Sequence, residues 1–224
     1  MATMTEHTEG HRAKAARAPR LRFPEHEARR PWLRLLLDAY QVADEGVAVG
    51  LRRARQAGRT LVCARGCSAC CATQEDIPVY PLELVGLAWY ATEQIDGSRR
   101  QQLKQRLRDH GGLKECPFLL NGECSVYPLR PMACRHFNVF ETACAPGEDP
   151  FHTRRDDVLT PVASYKDRAL AITLPFYGVR DKKERRALVA SGGVHSLARE
   201  FKGCNWESLA RKMDAFDDRE ATDG

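Results

Sequence analysis

Nine cysteines stand in this chain of 224 residues, and seven of them fall between Cys63 and Cys134. They form two elements. The first, CARGCSACC, carries Cys63, Cys67, Cys70 and Cys71. The second, CPFLLNGECSVYPLRPMACRHF, carries Cys116, Cys124 and Cys134, separated by seven and nine residues. The short spacings of the first element let a turn aim several thiolates at one centre. Thiolate is a soft donor that suits zinc and iron–sulfur clusters, not magnesium or calcium. In a reducing cytosol such a density argues for metal over disulfides. One tetrahedral site consumes four ligands, and seven are on hand. Cys70 and Cys71 are adjacent, so in an extended segment their side chains diverge. Either they serve two centres or only one of them ligates. A second centre needs an eighth donor, with His136 or Cys144 nearest in sequence. The bland alternative is that some of the seven are buried free thiols, because an unligated cysteine packs as a small hydrophobe. Cys204, isolated beside a helix start, reads as a plain thiol of that kind.

The neighbours of the cysteines suggest how such a centre is held. Gly122 permits a sharp turn before Cys124, and Pro128 and Pro131 stiffen the approach to Cys134. Arg130 and Arg135 are placed to offset thiolate repulsion and keep ligands deprotonated. Backbone N–H groups of the second element can donate to sulfur and tune a redox potential. Phe118 and Tyr127 read as shields against water. His136 reads as a hydrogen-bonded core histidine sooner than as a ligand.

The elements that must position these residues read mainly as helices. Pro31 opens a helical pattern over 31–57, with Leu33, Leu36, Leu37, Tyr40, Val47 and Leu51 on one stripe. Arg52, Arg53 and Arg55 suit its negative end, and Gly58 can stop it. Residues 61–76 form a cysteine turn. Pro81 starts a second helix that ends at Asp96-Gly97. Ser98 and Gln101 make a capping-box pattern for a third, closed by Gly111-Gly112. Residues 113–150 are irregular and proline-rich, and a loop of that length needs something to order it, for which metal bonds are the natural candidate. LTPVASY and LAITLPFY, within 159–177, read as short strands. Asp181 and Glu184 cap another helix, and Asn205 caps a last one through Trp206, Leu209, Met213 and Phe216. The expected fold is therefore mainly α with irregular cysteine-rich loops organised by metal and few or no strands. Residues 1–30 are expected to be a flexible basic tail. Residues 31–216 are expected to be a single cysteine-cluster domain, with a metal-binding core at 61–140 and C-terminal helices at 181–216.

Composition narrows the function classes. Charged residues make up 29% of the chain and the net charge is +5, with a mean hydropathy of −0.49. No apolar run approaches the roughly 20 residues that span a bilayer, so no membrane partner is expected. The N-terminus, MATMTEHTEG, lacks the apolar core of a secretory signal, and a cytoplasmic location is expected. Residues 11–34 concentrate basic side chains, yet only Phe23 and Trp32 could stack on bases there, which argues against nucleic acid as the partner. A protein partner remains open, as does the oligomeric state.

CxxxCxxCC followed by CPFL, GxCxxY and RPxxCR resembles the YkgJ-type cysteine-cluster family, a zinc- or iron-chelating domain. The resemblance runs from position 63 to 137, including the RPxxCR signature at Arg130, Pro131, Cys134 and Arg135. It implies metal binding through Cys63, Cys67, Cys70, Cys71, Cys116, Cys124 and Cys134. The first gap departs from the family's short name, with three residues here against two. The flagellin lysine-N-methylases carry a related cluster, and resemblance to them suggests an iron–sulfur centre.

Four functions compete at this stage. The favoured one is an iron–sulfur protein, with [4Fe–4S] as the leading nuclearity and a redox or accessory role. The alternative is a zinc protein whose metal locks residues 113–150 to the first element and whose surface binds a partner. A radical S-adenosylmethionine enzyme shares the Cys63, Cys67, Cys70 spacing. It has no place for Cys71 or the second element, and it expects a βα barrel. A metallochaperone needs labile, open thiolates, which the stiffened second element disfavours. No catalytic residue can be named, and no nucleophile–base arrangement stands out.

Overall fold

A computed structural model describes residues 19–64, 66–74, 76–111 and 114–223. Among them are ten α-helices: α1 Pro24–Arg29, α2 Pro31–Gln56, α3 Ala69–Thr73, α4 Pro81–Glu93, α5 Gly97–Asp109, α6 Met132–His136, α7 Pro150–Thr153, α8 Ala163–Thr173, α9 Lys182–Ala190 and α10 Trp206–Asp223. Four two-residue strands, β1 Pro78–Val79, β2 Leu119–Leu120, β3 Glu123–Cys124 and β4 Arg199–Glu200, pair as β1 with β4 and β2 with β3. The mainly α expectation is met. No helix of the described residues is long and apolar enough to cross a membrane.

Helix α2 is the central strut. Its first half buries Leu33, Leu36, Leu37 and Tyr40, as the apolar stripe requires. Its second half buries Ala43, Gly46 and Gly50 in place of Val47 and Leu51. The reason is close approach by α8. A Cβ at Gly46 would stand 2.6 Å from the Cβ of Tyr165, so only glycine fits there.

That contact corrects the strand reading of 159–177. The segment forms α8 and a 3-10 turn, Leu174–Tyr177. Its β-branched residues read as strand locally, but Tyr165, Ala169 and Thr173 recur every fourth residue. That spacing is a helical stripe which packing on α2 realises. Val158, just before the segment, is extended and bridges Val139, and within the segment Val162 is extended at the helix N-cap. The capping box expected at Ser98 is also corrected. The helix begins two residues earlier, with Asp96 at its N-cap and no side-chain cap bond. Gly112 lies outside the described residues. The caps at Asp181 and Asn205 are present: Asp181 Oδ1 accepts from the amides of Lys183 and Glu184, each at 2.9 Å, and Asn205 Oδ1 accepts from that of Ser208 at 3.0 Å.

The expected flexible tail, 1–30, lies outside the described residues through position 18. From 20 onward the chain is tied down, which revises that boundary. Arg20 bonds Asp38 at 2.6 Å and Glu27 at 2.7 Å, and Phe23 packs edge-on against Trp89 at 5.0 Å between ring centres. The driving force is the burial of one aromatic, which a reading dominated by basic side chains overlooks.

The C-terminal part closes the core from the far side. Strand β4 pairs antiparallel with β1, Pro78 opposite Glu200 and Val79 opposite Arg199. The amide of Phe201 donates to the Ile77 carbonyl at 2.9 Å. Phe201, Trp206 and Phe118 then form a buried aromatic trio with centroids 4.9 to 5.7 Å apart. Helix α10 is clamped to α5 by charge, with Arg100 on Asp217 at 2.6 Å and Lys104 on Asp214 at 2.6 Å.

Candidate metal centre

The two cysteine elements are held together by backbone bonds before any metal is considered. The amide of Cys116 donates to the carbonyl of Cys71 at 2.6 Å, joining the second element to the first. The first element is stitched on its other side to residues 139–141. The Val62 amide donates to the Val139 carbonyl at 3.0 Å, and the Val139 amide donates to Cys63 Sγ at 3.2 Å.

Each thiol has a local reason for its position. Gly66, at φ +86°, turns the chain between Cys63 and Cys67, and Cys67 is exposed. Helix α3 carries Cys70 and Cys71. On a helix neighbouring side chains are rotated by about 100°, so the divergence expected of an extended pair does not apply, and both face the cluster. Strands β2 and β3 form a hairpin whose turn residues Asn121 and Gly122 have φ of 51° and 78°. An Asn-Gly pair adopts such a turn at little cost, and it swings Cys124 back toward Cys116. Cys134 sits on α6.

Arg135 fastens α6. Its guanidinium donates to Asp44 at 2.7 Å, to the carbonyl of Arg130 at 3.0 Å and to the carbonyl of Pro128. It also stacks over Tyr40 at 4.0 Å. Glu83, fully buried, accepts from the amide of Met132 at 2.7 Å and from that of Tyr80 at 2.9 Å, locking α6 to α4. The expectation that Arg135 offsets thiolate charge is therefore revised, because its charge is spent on Asp44 and on the carbonyls that shape the loop. Arg130 keeps the expected part. It stacks on Tyr127 at 3.9 Å, and its charge favours the thiolates of Cys70 and Cys124.

All seven cysteines of the two elements, Cys63, Cys67, Cys70, Cys71, Cys116, Cys124 and Cys134, line one cavity of about 130 Å³. Cys71 is its hub, hydrogen-bonded through its side chain with Cys116, Cys124 and Cys70. Holding the shared protons raises the Cys71 thiol, and lowers Cys70 to about 7. Cys124 is lowered by the same bond from Cys71, helped by the Val126 amide. Burial raises Cys134 and Cys63. All nine cysteines are free thiols. Among the described residues no three His, Cys, Asp or Glu side chains are set to grip one ion directly. The donor set is nonetheless sulfur alone, gathered on a cavity walled by Phe118, Ile77, Val126 and Phe201, and that chemistry fits a thiophilic metal group.

Residues 62–156 match the CxxCxxCC family. The family is described as a "Putative zinc- or iron-chelating domain", in agreement with the resemblance seen in the sequence, and the match supports metal binding by this domain. The matched CxxCxxCC domain spans the whole cavity except Phe201, and it leaves α2, α8 and α10 outside. Comparison with curated proteins and with solved structures finds no match.

Two sequence candidates fall outside the cavity of the CxxCxxCC domain. His136 turns from it into a neighbouring pocket, and burial holds its imidazole down at about 4. Cys144 does not line the cavity either, and burial raises its thiol, with a lesser push from the charges of Cys67 and Cys70. Phe118 is fully buried in the wall, as expected, whereas Tyr127 is 57% exposed at the rim. Sequence reasoning missed Phe201. It comes from beyond the domain and reaches the wall through the β1–β4 pairing, for which two-residue strands leave no sequence signal.

Proposed function

We propose that the cavity holds an iron–sulfur centre, [4Fe–4S] in nuclearity, bound by thiolates of both elements, and that the chain serves a redox or accessory role. The observation that carries this reading is the gathering of seven thiols on one cavity of about 130 Å³. A lone ion bonded to sulfur at about 2.3 Å leaves no such space. That volume is far above the roughly 10–15 Å³ that one water needs, and it leaves room for a polynuclear group. A cluster also does not require three thiolates to converge on one point, since different thiolates bind different irons. Such a centre supplies electron transfer at a potential set by charge, hydrogen bonds to sulfur and exposure.

The chain's own residues divide the work. Cys70, Cys71, Cys116 and Cys124 form the innermost thiol set, Cys134 joins from α6, and Cys63 and exposed Cys67 guard the rim. Arg130 offsets negative charge, and the amides of Val126 and Val139 donate to Cys124 and Cys63. Phe118, Ile77 and Phe201 exclude water. A reducing compartment, the cytoplasm, keeps the thiols available for metal.

One observation favours a second reading. Cys71 has three thiol neighbours, and four thiolates are the number that a structural zinc takes, although no three side chains of the described residues are yet set to grip one ion directly. In that case metal fastens residues 113–150 to the first element and the surface serves a protein partner. The radical-enzyme reading loses its scaffold, since the described residues form no repeated βα units.

Iron, zinc and sulfide per chain, measured on protein purified without oxygen, separate the readings. Iron with sulfide in a brown sample is the expected result. Zinc without sulfide in a colourless sample replaces the cluster by the zinc site. Cys67→Ser and Cys134→Ser are each expected to lose metal and soluble yield, and full metal content in both would dissolve the shared centre.

A further inference from the structure

A second pocket, of about 210 Å³, lies back to back with the metal cavity. Gln74, Ile77 and Phe137 line both. Its floor is apolar and buried, with Ile77 and Val158 each 4% exposed and Leu159 7%. Pro78, Pro161 and Phe151 complete the apolar wall. The mouth carries charge of both signs. Arg155 stacks on Phe151 at 5.1 Å and gives one N–H to the Val158 carbonyl at 3.0 Å, with no carboxylate partner among the described residues. Among the described residues Asp76 meets the edge of His152, at 3.4 Å, and its side chain is 77% exposed. Asp149 accepts from the Phe151 amide at 2.9 Å. Deeper in, the His136 imidazole lines the pocket and has no hydrogen-bond partner among the described residues.

We infer that this pocket binds a small zwitterion with an apolar body, that is, a free apolar α-amino acid. The apolar floor takes the side chain. Arg155 takes the carboxylate, a pairing that planar guanidinium geometry favours. Asp76 takes the ammonium, and His136 offers a ring nitrogen to whichever polar atom lies deepest. A plain carboxylate would leave the acidic side of the mouth unanswered, and a plain amine would leave Arg155 so. The volume sits below the 300–1,000 Å³ range of drug-sized sites and suits a ligand of amino-acid size.

Calorimetric titration of the full chain as purified, with metal content measured in parallel, tests the inference independently of the metal's identity. L-leucine, L-methionine and L-phenylalanine are the probes. 4-Methylpentanoate and isoamylamine each lack one charge of leucine, and glycine lacks the apolar body. Saturable binding of at least one apolar amino acid is expected, with its single-charge analogues and glycine at least tenfold weaker. Arg155→Gln and Asp76→Asn, both at the exposed mouth, should each weaken binding at least tenfold without moving the melting temperature. The inference fails if no amino acid saturates, if 4-methylpentanoate binds as well as leucine, or if Arg155→Gln leaves binding unchanged.

Discussion

At the scale of single residues, the cysteines are unequal. Cys71 touches three other thiols, while Cys204 bonds only the Glu200 carbonyl at 3.3 Å and stands apart from the cavity. Cys71→Ser is therefore expected to cost more than half of the bound metal, and Cys204→Ser none, as read by metal analysis of the purified variants. Serine oxygen is too hard a donor to replace thiolate at a soft centre. Proton distribution among the free thiols points the same way. The Cys71 proton is shared outward, so Cys70 and Cys124 are the sulfurs readiest to bond metal as thiolates.

At the scale of elements, the second cysteine segment is an arrangement of short pieces that must each be fastened. The fastening of α6 is ionic and almost dry. Arg135 is 6% exposed, and it ties Asp44 on α2 to the carbonyls of Pro128 and Arg130. Removing one partner of such a pair leaves charge and carbonyls unanswered. Arg135→Met is expected to cost about 3 kcal/mol of stability by denaturant titration, with loss of metal alongside. Arg135→Lys should restore little of it, because a single ammonium cannot span Asp44 and both carbonyls. Restoration to wild type by lysine would mean that charge alone holds α6.

At the scale of the whole molecule, the metal cavity depends on a part of the chain far away in sequence. Trp206 is 5% exposed and packs edge-on against Phe118 and Phe201, which wall the cavity. Trp206→Ala should destabilise the protein by about 3–5 kcal/mol and open the cavity to solvent. Chelator competition would show this as faster metal loss than in wild type. Acid stability is a second global property. Burial lowers the imidazoles of His110 and His136 below the ordinary 6.5. The unfolded chain then takes up protons that the folded chain refuses, so the stability they contribute is present above pH 6.5 and lost as the pH falls below it. His110 also keeps Nδ1 buried without a hydrogen-bond partner among the described residues. His110→Leu should flatten the fall in urea midpoint between pH 7 and pH 5. An unchanged slope would place the acid sensitivity elsewhere.

The residue types and spacings of the two cysteine elements made metal binding legible, because thiolate softness and short loop spacing are local properties. Apolar stripes, prolines at helix starts and the Asp181 and Asn205 caps determined α2, α4, α9 and α10 as well. Tertiary structure alone decided the rest. Whether 159–177 became strand or helix turned on the glycine face of α2, where α8 approaches within contact of Gly46. Whether Cys70 and Cys71 diverge or converge turned on α3. That seven sulfurs surround one space, with Phe201 sealing it and His136 facing away, depends on bringing together segments up to 138 residues apart along the sequence. Such contacts are set by packing free energy summed over the whole core, which no local pattern records.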